Sequence, residues 1–414
     1  MRRAPVLAAV LMLATQLAFD IGLVHSTWPP SVVDGRDMLA FVTAGRILAD
    51  PAGQPADVYE PEVQRRVQEE ITGRTIPPGT GLPFIHPPHL LPVQEAFAYL
   101  SDTAWWWRWT LLMTAMFLAG FALLDGSLAR YDVGAMTRLE YGLVGLVFFP
   151  VVVSLVQAQD TGVLYLGVAA WIAALSRRKD FIAGLALSLA TIRPQIAVAL
   201  ALPFLFARRR VAAGFLAGCV LVLVWSLLAV GIEGLRAYLT LLIGVAGATE
   251  FGVDPEPMIS LVGQLRRILP ASSQALARIL SWSVWIGMIA GVCRLWLIRG
   301  RSGGPGPGEA ALAVYLSLVL SPHLNYHDLA LLHAAGAPAL AIAFTKSGTT
   351  GASSTLRALL FVSLAVSAST ITRAPLADLL RWSGLLVFLI PVLAASGLGR
   401  EPRLRRESAG TGVT

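Results

Sequence analysis

Apolar runs of roughly 17 to 25 residues recur from one end of the chain to the other, the length a helix needs to cross about 30 Å of hydrocarbon. Of the 414 residues, 56% are hydrophobic and only 14% charged, whereas soluble domains carry about a quarter charged residues. The sequence therefore predicts an all-α polytopic membrane protein, with one integral membrane domain over 1–414 and no room for a separate soluble domain. The formal charge of +7 comes from short basic clusters at segment ends, which topology explains and nucleic-acid binding does not. Cys219 and Cys293 both lie inside apolar segments, so neither a disulfide framework nor a zinc site is expected.

Taken in order, Ala4 to Val24 is a first span with a basic start, Met1-Arg2-Arg3, and is expected to be retained as an anchor. A polar region over 26–104 follows, rich in acids and expected outside the cytoplasm. Within it, Pro87-Pro88 opens a stretch to Leu100 too short to span, which suits a re-entrant or interfacial helix. Trp105 to Leu124 is a second span, and its Trp105-Trp106-Trp107-Arg108-Trp109 start reads as an interfacial aromatic belt. Tyr141 to Val156 and Gly162 to Leu175 are the third and fourth spans, and Arg177-Arg178-Lys179 marks the inside.

Asp180 to Ala207 has basic residues at both ends, so it should cross an even number of times. Pro194 removes a backbone donor in its middle, and the stretch is predicted to be two short helices meeting at Arg193. Ala212 to Gly231 then leads out to a second external region, 233–273, in which Leu235 to Val245 reads as an interfacial helix. Leu276 to Ile298 returns to a Gly/Pro linker over 299–308, and Ala310 to Leu320 crosses again to reach Ser321-Pro322-His323-Leu324-Asn325-Tyr326-His327-Asp328. Leu329 to Phe344, Leu356 to Ile371 and Leu379 to Leu398 precede a basic tail at 399–414. About twelve membrane helices result, with both termini cytoplasmic.

This topology puts the six histidines at or near the outer face, together with Asp37, Gln159 and Arg193. Arg193 is the sharpest single residue, since a charge inside an apolar hairpin costs at least ~2.5 kcal/mol and is usually retained for function. A lipid phosphate is one natural partner, with Gln195 sharing the contact, and a structural carboxylate is another. His323 and His327 are four residues apart, but Pro322 and the lack of a third close ligand argue against zinc, so no metal is expected. Asp34 and Asp37 are three apart; Asp34 reads as a helix N-cap with Asp37 at the third position, or either carboxylate serves as a general base. Arg36 beside them can steady that charge or bind a phosphate.

Four segments resemble glycosyltransferase family 87, membrane glycosyltransferases of the GT-C class. They are Asp37 to Arg46 with Val58-Tyr59-Glu60-Pro61; Phe84-Ile85-His86-Pro87-Pro88; Gln157-Ala158-Gln159-Asp160 through Ile192-Arg193-Pro194-Gln195; and Ser321-Pro322-His323 with Tyr326-His327-Asp328. The resemblance implies a polyprenyl-phosphate-linked sugar as donor; a glycolipid or glycan hydroxyl is the expected acceptor, and with cationic side chains available and no compact carboxylate cluster no cofactor is expected. It matches Asp37 to the catalytic base and Arg193 and His323 to positions near the donor phosphate. Gln159, Gln195, Arg36, His327 and Tyr59 are further substrate-binding candidates. The chain departs from the family pattern in having His86 for a tyrosine, Arg193 for a lysine and Ala158 where glycine is common.

The expected reaction is an inverting mannosyl or arabinofuranosyl transfer on the outer side of the cell membrane. A secondary transporter or lipid-carrier flippase is the rival expectation, since a broken helix with a charge at its turn suits either.

Overall fold

The computed structural model describes residues 3–28, 37–247, 258–300, 306–372 and 376–396. Asp34, Arg36, residues 301–305 of the linker and the 399–414 tail lie outside the described residues, as do 248–257 of the expected second external region. Among the described residues all regular structure is helical, and the chain is an all-α polytopic membrane protein.

After helix α1, Arg3–Ser26, come the short helices α2, Met38–Ala49, α3, Pro61–Thr72, and α4, Leu91–Phe97, a layer external to the helix bundle at one of its ends. Pro88 opens the short turn of 3-10 helix, Pro88–Leu90, that runs into α4, so the prolines at 87 and 88 start a non-spanning helix as their sequence suggests. Helix α5, Asp102–Ala129, runs for 28 residues. Its tryptophans do not form an interfacial belt: Trp105, Trp106 and Trp109 are buried against the protein and only Trp107 of the four is exposed. Composition cannot distinguish a ring that faces headgroups from one that faces another helix.

The third span begins earlier than expected and is broken. It consists of α6, Ala135–Leu146, and α7, Phe149–Val156, because Pro150 lacks the amide hydrogen that would carry one helix through the junction. Helix α8, Thr161–Ser176, follows, and then α9, Asp180–Leu187, which tightens into a 3-10 turn over Ser188–Ile192. Arg193 leaves helical geometry (φ −125°, ψ 84°), and α10, Pro194–Ala201, and α11, Phe204–Ala207, return the chain. The two ends of this broken hairpin meet where Arg208 Nη1 donates to Asp180 Oδ1 at 3.1 Å.

Helix α12, Arg209–Gly247, bends at Gly231, whose φ of 66° lies in the left-handed region, so the crossing and the segment beyond Leu235 are separate arms. Helix α13, Leu261–Ile268, covers the same end of the bundle as Arg193, and its approach is pinned by the Ile259 amide donating to the Leu324 carbonyl at 2.9 Å. Helices α14, Gln274–Gly300, and α15, Pro307–Val319, are followed by α16, Ala330–Ile371, which is a helical hairpin turning at Ser347–Gly348. A Cβ on Gly351 would stand 2.4 Å from the Ala343 carbonyl, so the two arms leave the turn in backbone contact. Helix α17, Leu376–Ala395, closes the described chain.

Among the described residues seven helical stretches are long and apolar enough to cross a membrane, and α8, α9, α10 with α11, and α15 are shorter apolar helices beside them. The turns after α7, α9 and α15 come to one end of the bundle, and the basic segments at Arg177–Lys179 and Arg208–Arg210 come to the other. His333 is the exception to the outer-face grouping of histidines. It is fully buried on the first turns of α16, stacked on Tyr141 at 4.1 Å between centroids. Its Nε2 lies 3.1 Å from the Tyr141 carbonyl and so must donate, leaving Nδ1 to accept from Tyr165 Oη at 2.7 Å. That ring is fully satisfied and structural.

Candidate functional site

Arg193 sits at the break because Pro194 forbids a continuous hydrogen-bond ladder there, which turns one side chain out of the helix wall. Its side chain is 11% exposed, and the guanidinium is held on several sides. Nη2 donates to Asp160 Oδ1 at 3.0 Å and more weakly to Gln159 Oε1 at 3.4 Å. Nε donates to Asp328 Oδ1 at 3.2 Å, and Nη1 to the Ile192 carbonyl at 3.3 Å. Both carboxylates have no exposed surface. One cation thus lies between two buried anions, the arrangement that keeps three dehydrated charges tolerable only while all are present.

The turn that delivers Gln159 and Asp160 joins α7 to α8. Ala158 takes φ +58°, the left-handed conformation that glycine adopts without steric cost. Its carbonyl accepts from buried Trp109 Nε1 at 2.8 Å, and the Gln159 amide donates to the Ser154 carbonyl at 2.8 Å. Asp160 stands at the N-terminus of α8 but makes no cap with its side chain; the carboxylate is turned to Arg193 and His86 instead. Burial alone would raise its carboxyl, but Arg193 and His86 outweigh burial and hold it below the usual carboxylate range. An ionised Asp160 only accepts, so His86 Nδ1, 2.5 Å away, carries the hydrogen between them.

His86 enters from the external layer. Its ring lies over Phe41 of α2 at 4.5 Å and near Phe84 at 5.3 Å, and its carbonyl accepts from Tyr59 Oη at 3.1 Å. Tyr59, a substrate-binding candidate in the sequence, is buried; burial raises its hydroxyl well above the ordinary value, and that hydroxyl donates to the His86 backbone. Asp37 immediately precedes α2 and is not at its third position, which corrects the expected capping arrangement. Its carboxylate makes no cap; Oδ2 accepts from Gln159 Nε2. The Gln159 amide thereby joins Asp37 to Arg193, donating to one and accepting from the other.

The 321–328 segment completes the site. Ser321 Oγ donates to the His323 carbonyl at 2.6 Å, and that same carbonyl accepts from Gln195 Nε2 at 3.4 Å. His323 Nε2 faces Asn325 Nδ2 at 3.4 Å, and burial pushes its imidazole down to about 4, against the opposing pull of Asp328. His327 is buried with Nε2 3.7 Å from Asp328 Oδ1. Among the described residues no group of three or more His, Cys, Asp or Glu is arranged to hold a metal ion.

Of the residues singled out in the sequence, Asp37, Gln159, Arg193, Gln195, His323 and His327 are brought together, Tyr59 supports from behind, and Arg36 is not described. Asp160, Asp328 and His86 were missed as site residues. The signal for the two aspartates was Arg193 itself, since a buried arginine requires buried counter-charge. The model of Glycosyltransferase family 87 matches residues 84–322, a stretch that contains His86, Gln159, Asp160, Arg193 and Gln195 and leaves Asp37, His323 and His327 outside. No curated protein matches the chain.

Proposed function

This chain belongs to glycosyltransferase family 87, and from that premise we propose that it transfers one sugar from a polyprenyl phosphate to a hydroxyl of a glycolipid or glycan on the outer face of the membrane. The observation that carries the proposal is the hydrogen-bonded line from Asp37 through Gln159 to Arg193. It couples a carboxylate outside the helix bundle to a cation at the bundle's broken hairpin.

In this reading the acceptor oxygen attacks the anomeric carbon from the side of Asp37, which takes the hydroxyl proton. The bond from that carbon to the phosphate oxygen breaks, its electron pair leaves with polyprenyl phosphate, and a single displacement inverts the anomeric centre. Arg193 receives the leaving group less as a free charge than as an oriented donor. Of its five N–H groups, four are used on Asp160, Gln159, Asp328 and the Ile192 carbonyl, which leaves one on Nη1. His323, neutral near pH 7 by its depressed titration, adds a neutral donor. Preorganised donors of this kind stabilise charge that develops in the transition state. His86 takes the place of the family's tyrosine by holding Asp160.

Sidedness is argued from charge. The basic clusters at Arg177–Lys179 and Arg208–Arg210 close the end of the bundle away from the site, and such clusters stay in the cytoplasm. The site then faces outward. The test uses membranes carrying wild type or Asp37→Asn, given labelled polyprenyl-phosphate mannose or arabinofuranose with native lipids. Transfer should fall by about 10²- to 10⁴-fold in the variant. Equal glycolipid labelling would reject Asp37 as the base, and donor uptake without a new glycosidic product would favour a transporter.

A further inference from the structure

At the end of the bundle away from the catalytic site, α1, the two arms of α16 and α17 enclose a groove of about 580 Å³. Its inner wall is apolar, with Phe361 on the second arm and Ile390 on α17. Two cations stand over it. Lys346, the last residue before the Ser347–Gly348 turn, is exposed at the rim, and its Nζ donates to the Ala394 carbonyl at 2.8 Å. Arg357 lies further along the returning arm, yet its Nε donates to the Ser353 carbonyl at 3.2 Å, so the side chain runs back toward the turn, as long cationic chains do when they reach for a membrane boundary.

No carboxylate lines the groove. Thr355, fully buried in its wall, has a hydroxyl without a hydrogen-bond partner among the described residues. A basic rim, an apolar floor and an unused donor fit one chemistry: two acyl chains below a negatively charged headgroup. We propose that this groove binds an anionic phospholipid, whose phosphate sits between Lys346 and Arg357 and whose chains lie along Phe361 and Ile390. The lipid would wedge the helical hairpin against α17 and α1, at a distance from sugar transfer and independent of it.

The test is native mass spectrometry and thermal unfolding of the purified full chain in detergent, with phosphatidylglycerol or phosphatidylcholine of the same acyl chains added. Wild type should retain and be stabilised by phosphatidylglycerol alone. Lys346→Gln with Arg357→Gln should bind it about 30-fold more weakly, the size expected for two boundary cations. Ser354→Trp, which narrows the groove and keeps both charges, should weaken it as well, and Arg130→Gln, an exposed cation at the same end, should not. Unchanged phosphatidylglycerol retention in both groove variants would overturn the site. So would an equal loss in Arg130→Gln, which indicates general attraction, or equal stabilisation by inorganic phosphate, which indicates a headgroup-only site.

Discussion

Arg193 shows how much of a membrane site is decided by charge balance. Replacing it by glutamine would leave Asp160 and Asp328 buried without a counter-charge, a change that costs about 3–5 kcal/mol when one partner of a buried pair is removed. Arg193→Gln should therefore lower both the thermal midpoint in detergent and transfer. Arg193→Lys should keep much of the stability but lose activity, because an ammonium cannot present the fork that reaches two carboxylates and an amide at once. Stability as low in the lysine variant as in the glutamine variant would contradict this. Ala158 tests the turn next to it. Holding alanine at φ +58° costs roughly 1–2 kcal/mol, and glycine gives back about 0.4–1 kcal/mol in unfolded-chain entropy. Ala158→Gly should thus stabilise by up to about 1 kcal/mol, read as a raised midpoint with transfer unchanged. Arg193 was legible in the sequence because proline and charge coincide there. Asp160 and Asp328 were not, since their partner lies 33 and 135 residues away and each alone looks like a polar loop residue.

At the scale of elements, the broken hairpin is set by how closely it packs on α12. A Cβ on Gly184 would lie 1.9 Å from the Val211 carbonyl, and one on Gly214 would lie 2.0 Å from the Phe181 carbonyl. The backbones of α9 and α12 touch, the small-residue contact by which membrane helices gain packing without a hydrophobic drive. Gly184→Val should push α9 outward and carry Arg193 off its carboxylates, so transfer should fall although no site residue is changed. Full activity in that variant would mean that the hairpin's position does not set the site. Most elements could be read from the apolar runs and their punctuation, Pro194 and Gly231 above all. The split between α6 and α7 was signalled by Pro150 but hidden inside one apolar run. The burial of Trp105, Trp106 and Trp109 was not legible, because it depends on which neighbour a helix faces, and hydropathy is blind to the difference between lipid and protein.

For the whole molecule, two consequences follow from where the polar groups lie. His89 and His323 are both pushed down to about 4 by burial, from an ordinary 6.5. Their unfolded forms take up protons that the folded protein refuses, so stability should be full above about 6.5 and fall as pH drops from there toward 4. Depressed Asp160 adds a loss in the same direction below the ordinary carboxylate range. Thermal midpoints in detergent across this window check the sign, and His323→Gln should flatten the slope. Sidedness has its own test. Tyr99 is 76% exposed in the external layer, and Tyr99→Cys should react with an impermeant maleimide added to intact cells, whereas Arg130→Cys should react only after permeabilisation.

The ion cluster around Arg193 also carries an order in time. A chain made from its N-terminus exposes Asp160 first and Arg193 33 residues later, so this pair can neutralise itself as soon as α8 and α9 have been inserted. Asp328 arrives only after a further 135 residues, by which point the arginine already has a partner. Arg193 can thus be handed to the bilayer as half of a neutral pair, and the later segment converts a structure stable enough to insert into one charged enough to work.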